Sequence, residues 1–281
     1  MQIAALQHDI VWEDRDATLA HLRPQLDRAA GVGARLISLT EMFATGFSMQ
    51  THLTAETLDG PIVTWMHERA AALDVWIAGS VALQADAAHP TDPTPSANGN
   101  GSPNGNGAGG HGGAAASDLA TNSLLLVGPD GTRHRYDKVH PFSYAGEHER
   151  FRGGDGPLVV EIEGLRIGLS VCYDLRFANL YWDRAGAVDV ELIVANWPEA
   201  RRNHWRTLLD ARAIEDQVYV VGVNRVGTGG KLSYVGDSRI VDPAGEVLVA
   251  AASEETMLLA ELDPDVVREV RERLPFLPDR R

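Results

Sequence analysis

Apolar residues along this chain switch repeatedly between a spacing of two and a spacing of three to four. These are the periods of half-buried strands and amphipathic helices. Residues 3–7 open as a strand, and Asp14-Arg15-Asp16 then starts a helix whose apolar face is Leu19, Leu22, Leu26 and Ala30. Gly31 and Gly33 end it. Residues 36–40 form a second buried strand that delivers Glu41 at its C-terminal end, followed by the loop Met42-Phe43-Ala44-Thr45-Gly46-Phe47. A helix begins after Gly60 with Pro61 in its first turn and buries Ile62, Val63, Met66 and Ala70. Residues 75–83 read as the third strand.

Periodicity fails between about residues 85 and 118, where prolines alternate with Asn98-Gly99-Asn100-Gly101 and Asn104-Gly105-Asn106-Gly107. Such a stretch buries too little apolar surface to offset its ordering entropy, so it reads as a disordered surface insertion. Pattern resumes as a hairpin over 122–137 that ends at Lys138, then the polar loop Gly146-Glu147-His148-Glu149-Arg150. A second hairpin, 159–171, ends at Cys172. Residues 191–196 are a buried strand and 202–216 a helix burying Trp205, Leu208, Leu209 and Ala213. Strands at 218–223, 232–241 and 247–251 follow, and a last helix starts at Asp263. No linker divides the ordered sequence. The reading is one α/β domain over residues 1–281, with its chemistry at the C-terminal ends of strands, where sites in α/β sheets lie.

Composition narrows the partners. A formal charge of −14 argues against nucleic acid and anionic membranes, both of which need a cationic footprint. The N-terminus has no basic segment before His8 and Asp9, as a secretion signal requires. No apolar run approaches the ~18 residues of a membrane helix. With a single cysteine there is no internal disulfide, and the expected setting is the cytoplasm.

That cysteine, Cys172, stands where the alternation of Ile167, Leu169 and Val171 stops and Tyr173-Asp174 begins a helix-start segment. Backbone N–H groups at such a position lower a thiol's pKa and can hold an oxyanion. A lone buried cysteine is also a common inert core residue. Reactivity therefore depends on a base and a cation within reach. Two other strand ends offer these in Glu41 and Lys138.

Leu39-Thr40-Glu41-Met42-Phe43, Tyr136-Asp137-Lys138-Val139-His140 and Ser170-Val171-Cys172-Tyr173-Asp174-Leu175-Arg176-Phe177 resemble the three motifs of the nitrilase, or carbon–nitrogen hydrolase, superfamily. The order agrees once the insertion is removed. The resemblance implies an α-β-β-α sandwich, a Glu41-Lys138-Cys172 triad, a further glutamate best matched by Glu147, and at least a homodimer. Inside the superfamily the sequence looks like the omega-amidases, which hydrolyse 2-oxoglutaramate-type amides. The segments carrying that likeness are residues 41–47, Gly146-Glu147-His148, Asn196-Trp197-Pro198 and residues 211–216. Thr40 departs from the proline of many members.

A mechanism follows in which Glu41 takes the thiol proton, Lys138 and the Tyr173 N–H hold the oxyanion, and a thioester forms on Cys172. No metal or cofactor is required, and His140, His148 and Glu149 lack zinc-site spacing. Phe43, Phe47 and Phe142 are expected to wall the pocket. Arg176, Arg201 and Arg202 are candidates to grip a substrate carboxylate bidentately. A deaminated-glutathione-type amidase is the nearest rival. Outside the class stand a metal-dependent hydrolase and a catalytically silent binding protein.

Overall fold

Alternation inside single strands sets the layering. In a computed structural model, which describes residues 1–85 and 119–280, the strand β1 (Gln2–Gln7) sends Ile3 and Ala5 to one apolar cluster and Ala4 and Leu6 to another. Two faces of one strand thus serve two cores, the expected outcome for a strand covered on both sides. The Pro-, Gly- and Asn-rich insertion falls, from residue 86 onward, outside the described residues.

The first sheet runs β14 (Thr256–Glu261), β1, β2 (Leu36–Ser38), β3 (Trp76–Leu83), β4 (Ala120–Val127) and β5 (Arg133–Asp137), with β6 (Phe151–Arg152) beside β4. The second runs β11 (Val226–Gly229), β12 (Leu232–Val241), β10 (Tyr219–Asn224), β9 (Val190–Ala195), β8 (Leu165–Val171) and β7 (Leu158–Ile162), with β13 (Val247–Ala252) beside β12. Strands β1–β3 are mutually parallel, as are β8–β10. The inner faces meet through Ile3, Leu124, Leu126, Ile167, Leu169, Val171, Leu192 and Val221. Each such side chain contributes roughly 1.5–3 kcal/mol when fully buried.

Helices α1 (Arg15–Gly31) and α3 (Pro61–Leu73) cover the outer face of the first sheet through Leu22, Leu26, Val63 and Met66. Helices α4 (Ala178–Trp182) and α5 (Arg202–Asp216) cover the second through Leu180, Trp205, Leu209 and Ala213. The layers are therefore α-β-β-α, the sandwich that the motifs imply. Asp14 caps α1, its side chain accepting from the Ala17 N–H at 3.0 Å. The short α2 (Thr51–Thr54) and the C-terminal α6 (Pro264–Arg273) complete the α-helices among the described residues.

Three expectations need correction. The second strand ends at Ser38 rather than residue 40, because the chain turns to carry Glu41 inward, with Met42 at φ 41°. Strands β11 and β14 are additional. β14 does not extend the second sheet but returns to pair antiparallel with β1. Cys172-Tyr173-Asp174 opens a 3-10 turn, Cys172–Arg176, with α4 following it as a separate short helix.

Asp216, at the C-terminal end of α5, is 1% exposed and neither of its carboxylate oxygens has a hydrogen-bond partner among the described residues. Burial, helped by nearby Glu191 and opposed by Arg212, raises its pKa from 3.8 to about 7. A raised acid pKa adds stability that is complete below the unfolded value and is lost as pH rises through the folded one. Stability should therefore fall between about pH 4 and pH 7 on account of this group. Asp216→Asn, which fixes the neutral form, is expected to raise the melting temperature by several degrees at pH 8 and leave it unchanged at pH 4. Identical pH–stability curves for the two proteins would remove the assignment.

Candidate active site

Three strand ends converge at one edge of the seam between the sheets. β2 leads to Glu41, β5 to Lys138 and β8 to Cys172, the first two from one sheet and the third from the other. Lys138 and Glu41 are essentially without solvent exposure, as is Glu147, which sits in a 3-10 turn (Glu147–Glu149) after β5. The Lys138 ammonium donates to Glu41 Oε1 at 3.0 Å and to Glu147 Oε2 at 2.9 Å and Oε1 at 3.1 Å. One cation thus lies between two buried carboxylates. Burial works against its charge, but Glu147 and Glu41 more than offset that and hold its pKa above the ordinary lysine range.

Neutral donors complete the cluster. Asn122, on β4, donates through Nδ2 to Glu41 Oε1 at 2.9 Å and to Glu147 Oε1 at 3.1 Å. Its own Oδ1 accepts from the Ser80 hydroxyl at 2.8 Å. The Asn196 N–H donates to Glu41 Oε2 at 2.7 Å, which links this carboxylate to the second sheet. The Phe142 N–H donates to Glu147 Oε2 at 2.5 Å. Both carboxylates are therefore oriented by two or more fixed donors, the condition under which buried charge is tolerable.

Cys172 occupies the left-handed backbone region at φ 47°. A non-glycine residue there carries strain of order 1–3 kcal/mol, and such strain at a turn can expose a side chain to a cavity. Burial first, then the Glu41 carboxylate, push the Cys172 thiol well above its ordinary pKa, with Lys138 opposing. The sequence had suggested the opposite direction, from the turn's N–H groups; desolvation and an adjacent anion outweigh them. This shift favours the neutral thiol, with the Glu41 carboxylate beside it. Glu41 is thereby placed to receive the proton.

Asp174 holds the turn. It accepts from the Tyr136 hydroxyl at 2.8 Å, the His140 N–H at 2.9 Å and the Val171 N–H at 3.1 Å, so it braces the strand end rather than capping the helix after it. His140 also meets Asp174 through Nδ1 at 2.9 Å and stacks on Phe177, while His148 and Glu149 are exposed. Among the described residues no three His, Cys, Asp or Glu side chains gather as a metal site would require. Thr40, where a proline was noted as usual, donates to Nε2 of the buried His8 at 3.1 Å. Burial and neighbouring Arg225 lower the pKa of His8 to about 4 despite its bond to the Asp9 carbonyl, so it stays neutral.

A cavity of about 230 Å³ opens onto Glu41, Lys138, Cys172 and Tyr173. Phe47, Phe142, Arg176 and Arg201 line it as the sequence led one to expect. Two expected wall residues do not. Phe43 is fully buried against α3, its ring 6.1 Å from that of Trp65, because the turn at Met42 sends it into the helix-facing core. Arg202 is paired bidentately with Asp237 at 2.9 Å and points along α5 toward β12. Residues that the sequence did not single out also line the cavity, among them Trp12, Lys231 and Tyr234, as does Trp197 of the Asn196-Trp197-Pro198 segment. Asn122 escaped notice too, although a polar residue opening a buried strand was a usable signal.

Arg176 and Arg201 make no ion pair with a carboxylate among the described residues. Arg176 lies 4.7 Å above the Trp197 ring and contacts His204 Nδ1 at 3.1 Å, and Arg201 lies 5.4 Å from the Phe142 ring centre. Burial, with Arg201 nearby, lowers the Arg176 pKa from its usual range. Two guanidiniums thus stand close enough at one small cavity to act on each other, and a guanidinium can take a carboxylate bidentately.

The carbon-nitrogen hydrolase family model matches residues 2–272. Omega-amidase YafV from Escherichia coli (strain K12) is 39% identical over 282 residues, which is 99% of this chain and 96% of that protein. The 2-oxoglutaramate amidase of Paenarthrobacter nicotinovorans is 36% identical, covering 91% of this chain and 81% of its own. Among solved structures, XC1258 from Xanthomonas campestris, a CN-hydrolase superfamily protein with an arsenic adduct in its active site, superposes with a TM-score of 0.85 at 34% identity. That match covers 100% of this chain and 97% of the other. The chain belongs to the carbon–nitrogen hydrolase family and is a hydrolase of carbon–nitrogen bonds other than peptide bonds.

Proposed function

We propose that the protein is an omega-amidase: it hydrolyses the terminal amide of a small carboxylate-bearing acid, of the 2-oxoglutaramate kind, to the acid and ammonia. The observation that carries this reading is the set of cations Arg176, Arg201 and Lys231, which line the cavity that holds Cys172 and make no ion pair with a carboxylate among the described residues. In a protein of net charge −14, such a local reversal of sign favours an anionic substrate. The volume, about 230 Å³, lies below the roughly 300–1,000 Å³ of pockets for drug-sized ligands, which favours a short one. A deaminated-glutathione-type amide is the bulkier rival and belongs in the same substrate panel.

In the proposed reaction the Cys172 thiol loses its proton to Glu41 while sulfur attacks the amide carbonyl. The oxyanion is held by the Lys138 ammonium and the Tyr173 N–H, which as an early N–H of its turn has no partner inside it. Each good donor of this kind is worth roughly 3–4 kcal/mol. As the tetrahedral adduct collapses, protonated Glu41 gives its proton to the departing nitrogen, ammonia leaves and a thioester remains. Water then gives a proton to Glu41 and attacks the thioester. The thiolate departs and recovers its proton from Glu41, and the acid is released. Glu147 acts through Lys138 and Phe142, fixing the ammonium and one wall. The homo-oligomeric state implied by the resemblance and the cytoplasmic setting expected from composition belong to this reading, and light scattering of the purified protein reads the former.

The test pairs 2-oxoglutaramate with a neutral amide of equal length, across Arg176→Met and Arg201→Met. Each variant is expected to raise KM for the anionic substrate alone by about 1.5–3 kcal/mol, the size of a hydrogen bond to a charged group. Equal wild-type activity on both amides would sink the substrate reading and leave the Glu-Lys-Cys chemistry standing.

A further inference from the structure

Trp12, in the loop between β1 and α1, lines the cavity with its ring wedged between two glycines. A Cβ at Gly46 would lie 2.9 Å from its Cε3 atom, and one at Gly229 would lie 2.9 Å from Cε3 and Cζ3. Gly46 needs its glycine anyway, for a φ of +79°. Gly229 has no positive φ, so space alone explains the residue: a Cβ there would also meet Arg225 Nη1 at 2.7 Å. The indole is thus clamped between the loop that carries Glu41 and the turn joining β11 to β12.

That clamp is fixed from behind. Arg225 is fully buried, and its guanidinium donates to Asp9 Oδ1 at 2.6 Å, to the Ile10 carbonyl at 3.1 Å and to the Thr228 carbonyl at 2.9 Å. It also lies 4.7 Å from the ring of Tyr234, another cavity residue. One side chain therefore ties the Trp12 loop to the β11–β12 turn. A wall discriminates between ligands only if it cannot retreat, and this one is packed closely against the backbone at Gly46 and Gly229, with Arg225 tying the two segments.

Resting on the amidase reading above, we infer that Trp12 is a specificity-determining residue that limits the number of carbons between the substrate's carboxylate and its amide. Arginines fix the anionic end and Cys172 fixes the amide carbon, so an added methylene must be accommodated against the wall. A methylene in a well-fitted apolar pocket is discriminated by about 10–200-fold.

The experiment measures kcat/KM for monoamides of dicarboxylic acids from four to seven carbons with the wild type, Trp12→Ala, Trp12→Phe and Gly229→Ala. Melting temperatures and the rate of Cys172 alkylation by iodoacetamide are recorded beside them. For the wild type, kcat/KM should fall tenfold or more for each carbon beyond the preferred length. Trp12→Ala should move the optimum one or two carbons longer, and Trp12→Phe should relax the limit less. Gly229→Ala, which crowds the indole, should sharpen the preference for the shorter amides. A uniform drop across the series in Trp12→Ala and Trp12→Phe, with the length profile unchanged, would overturn the role of Trp12 alone. Wild-type inertness toward every one of these anionic amides, with alkylation intact, would overturn the substrate reading and this inference with it.

Discussion

Cys172→Ala is expected to lose amide hydrolysis by a factor on the order of 10⁵–10⁶, the scale found when the nucleophile of a concerted triad is removed. Its fold should persist, with a melting temperature within a few degrees of the wild type. Alanine is smaller by one sulfur atom and bears the same left-handed strain at φ 47°, so the backbone cost is unchanged. Removing the thiol also removes Glu41's resting partner, but Glu41 keeps Lys138, Asn122 and the Asn196 N–H. Iodoacetamide should inactivate the wild type slowly, because the resting thiol is neutral, and substrate should protect. Near-normal turnover by Cys172→Ala would remove covalent catalysis from consideration.

Lys138→Met should cost both activity and stability, and the stability loss should depend on pH. The substitution leaves Glu41 and Glu147 buried side by side, sharing the Asn122 amide with no cation between them. Breaking a buried pair in this way costs about 3–5 kcal/mol. Two neighbouring carboxylates cannot both stay ionised cheaply, so one pKa rises in the folded variant. Stability should then be poorest at pH 8 and recover toward pH 5, as that carboxyl takes up a proton that the unfolded chain no longer holds. The double variant Lys138→Met/Glu147→Gln should regain much of the stability at pH 8 without regaining activity. Thermal melts at the two pH values with an ammonia-release assay decide the matter. A single variant as stable as the wild type at pH 8 would show that the triad is not charged as described.

What could be read from the sequence was local. β5 and β8 end where alternation stops, and the residues just past those ends are Lys138 and Cys172. Asp14 announces α1 through the chemistry of its cap. Pairing across long separations was not legible. Nothing in residues 256–261 alone says that they return to lie beside β1, since a short strand without strong alternation can join either sheet. Side-chain direction was equally hidden. Phe43 and Phe47 are equivalent aromatics in one loop, yet the turn at Met42 sends one under α3 and brings the other's ring centre to 5.3 Å from the Lys138 ammonium. Arg201 and Arg202 are neighbours, and only the position of Asp237 on β12 shows which is already engaged. The upward direction of the thiol's pKa depends first on burial by the assembled fold and then on Glu41, 131 positions earlier in the chain.

The two sheets pack on each other through the apolar core around Leu124, Leu169 and their neighbours, yet Glu41 and Cys172 stand on opposite sides of that meeting. Within one sheet the backbone ladder would fix their spacing to a pleat. Across two, the spacing is a property of how apolar residues fill a gap tens of atoms away from the reacting bond. In the proposed reaction the inter-sheet core therefore serves as a shim between base and nucleophile. A methyl group added or lost there is expected to reset the approach of sulfur to the Glu41 carboxylate before it threatens the fold, so that under the proposed mechanism residues that never touch substrate tune the rate.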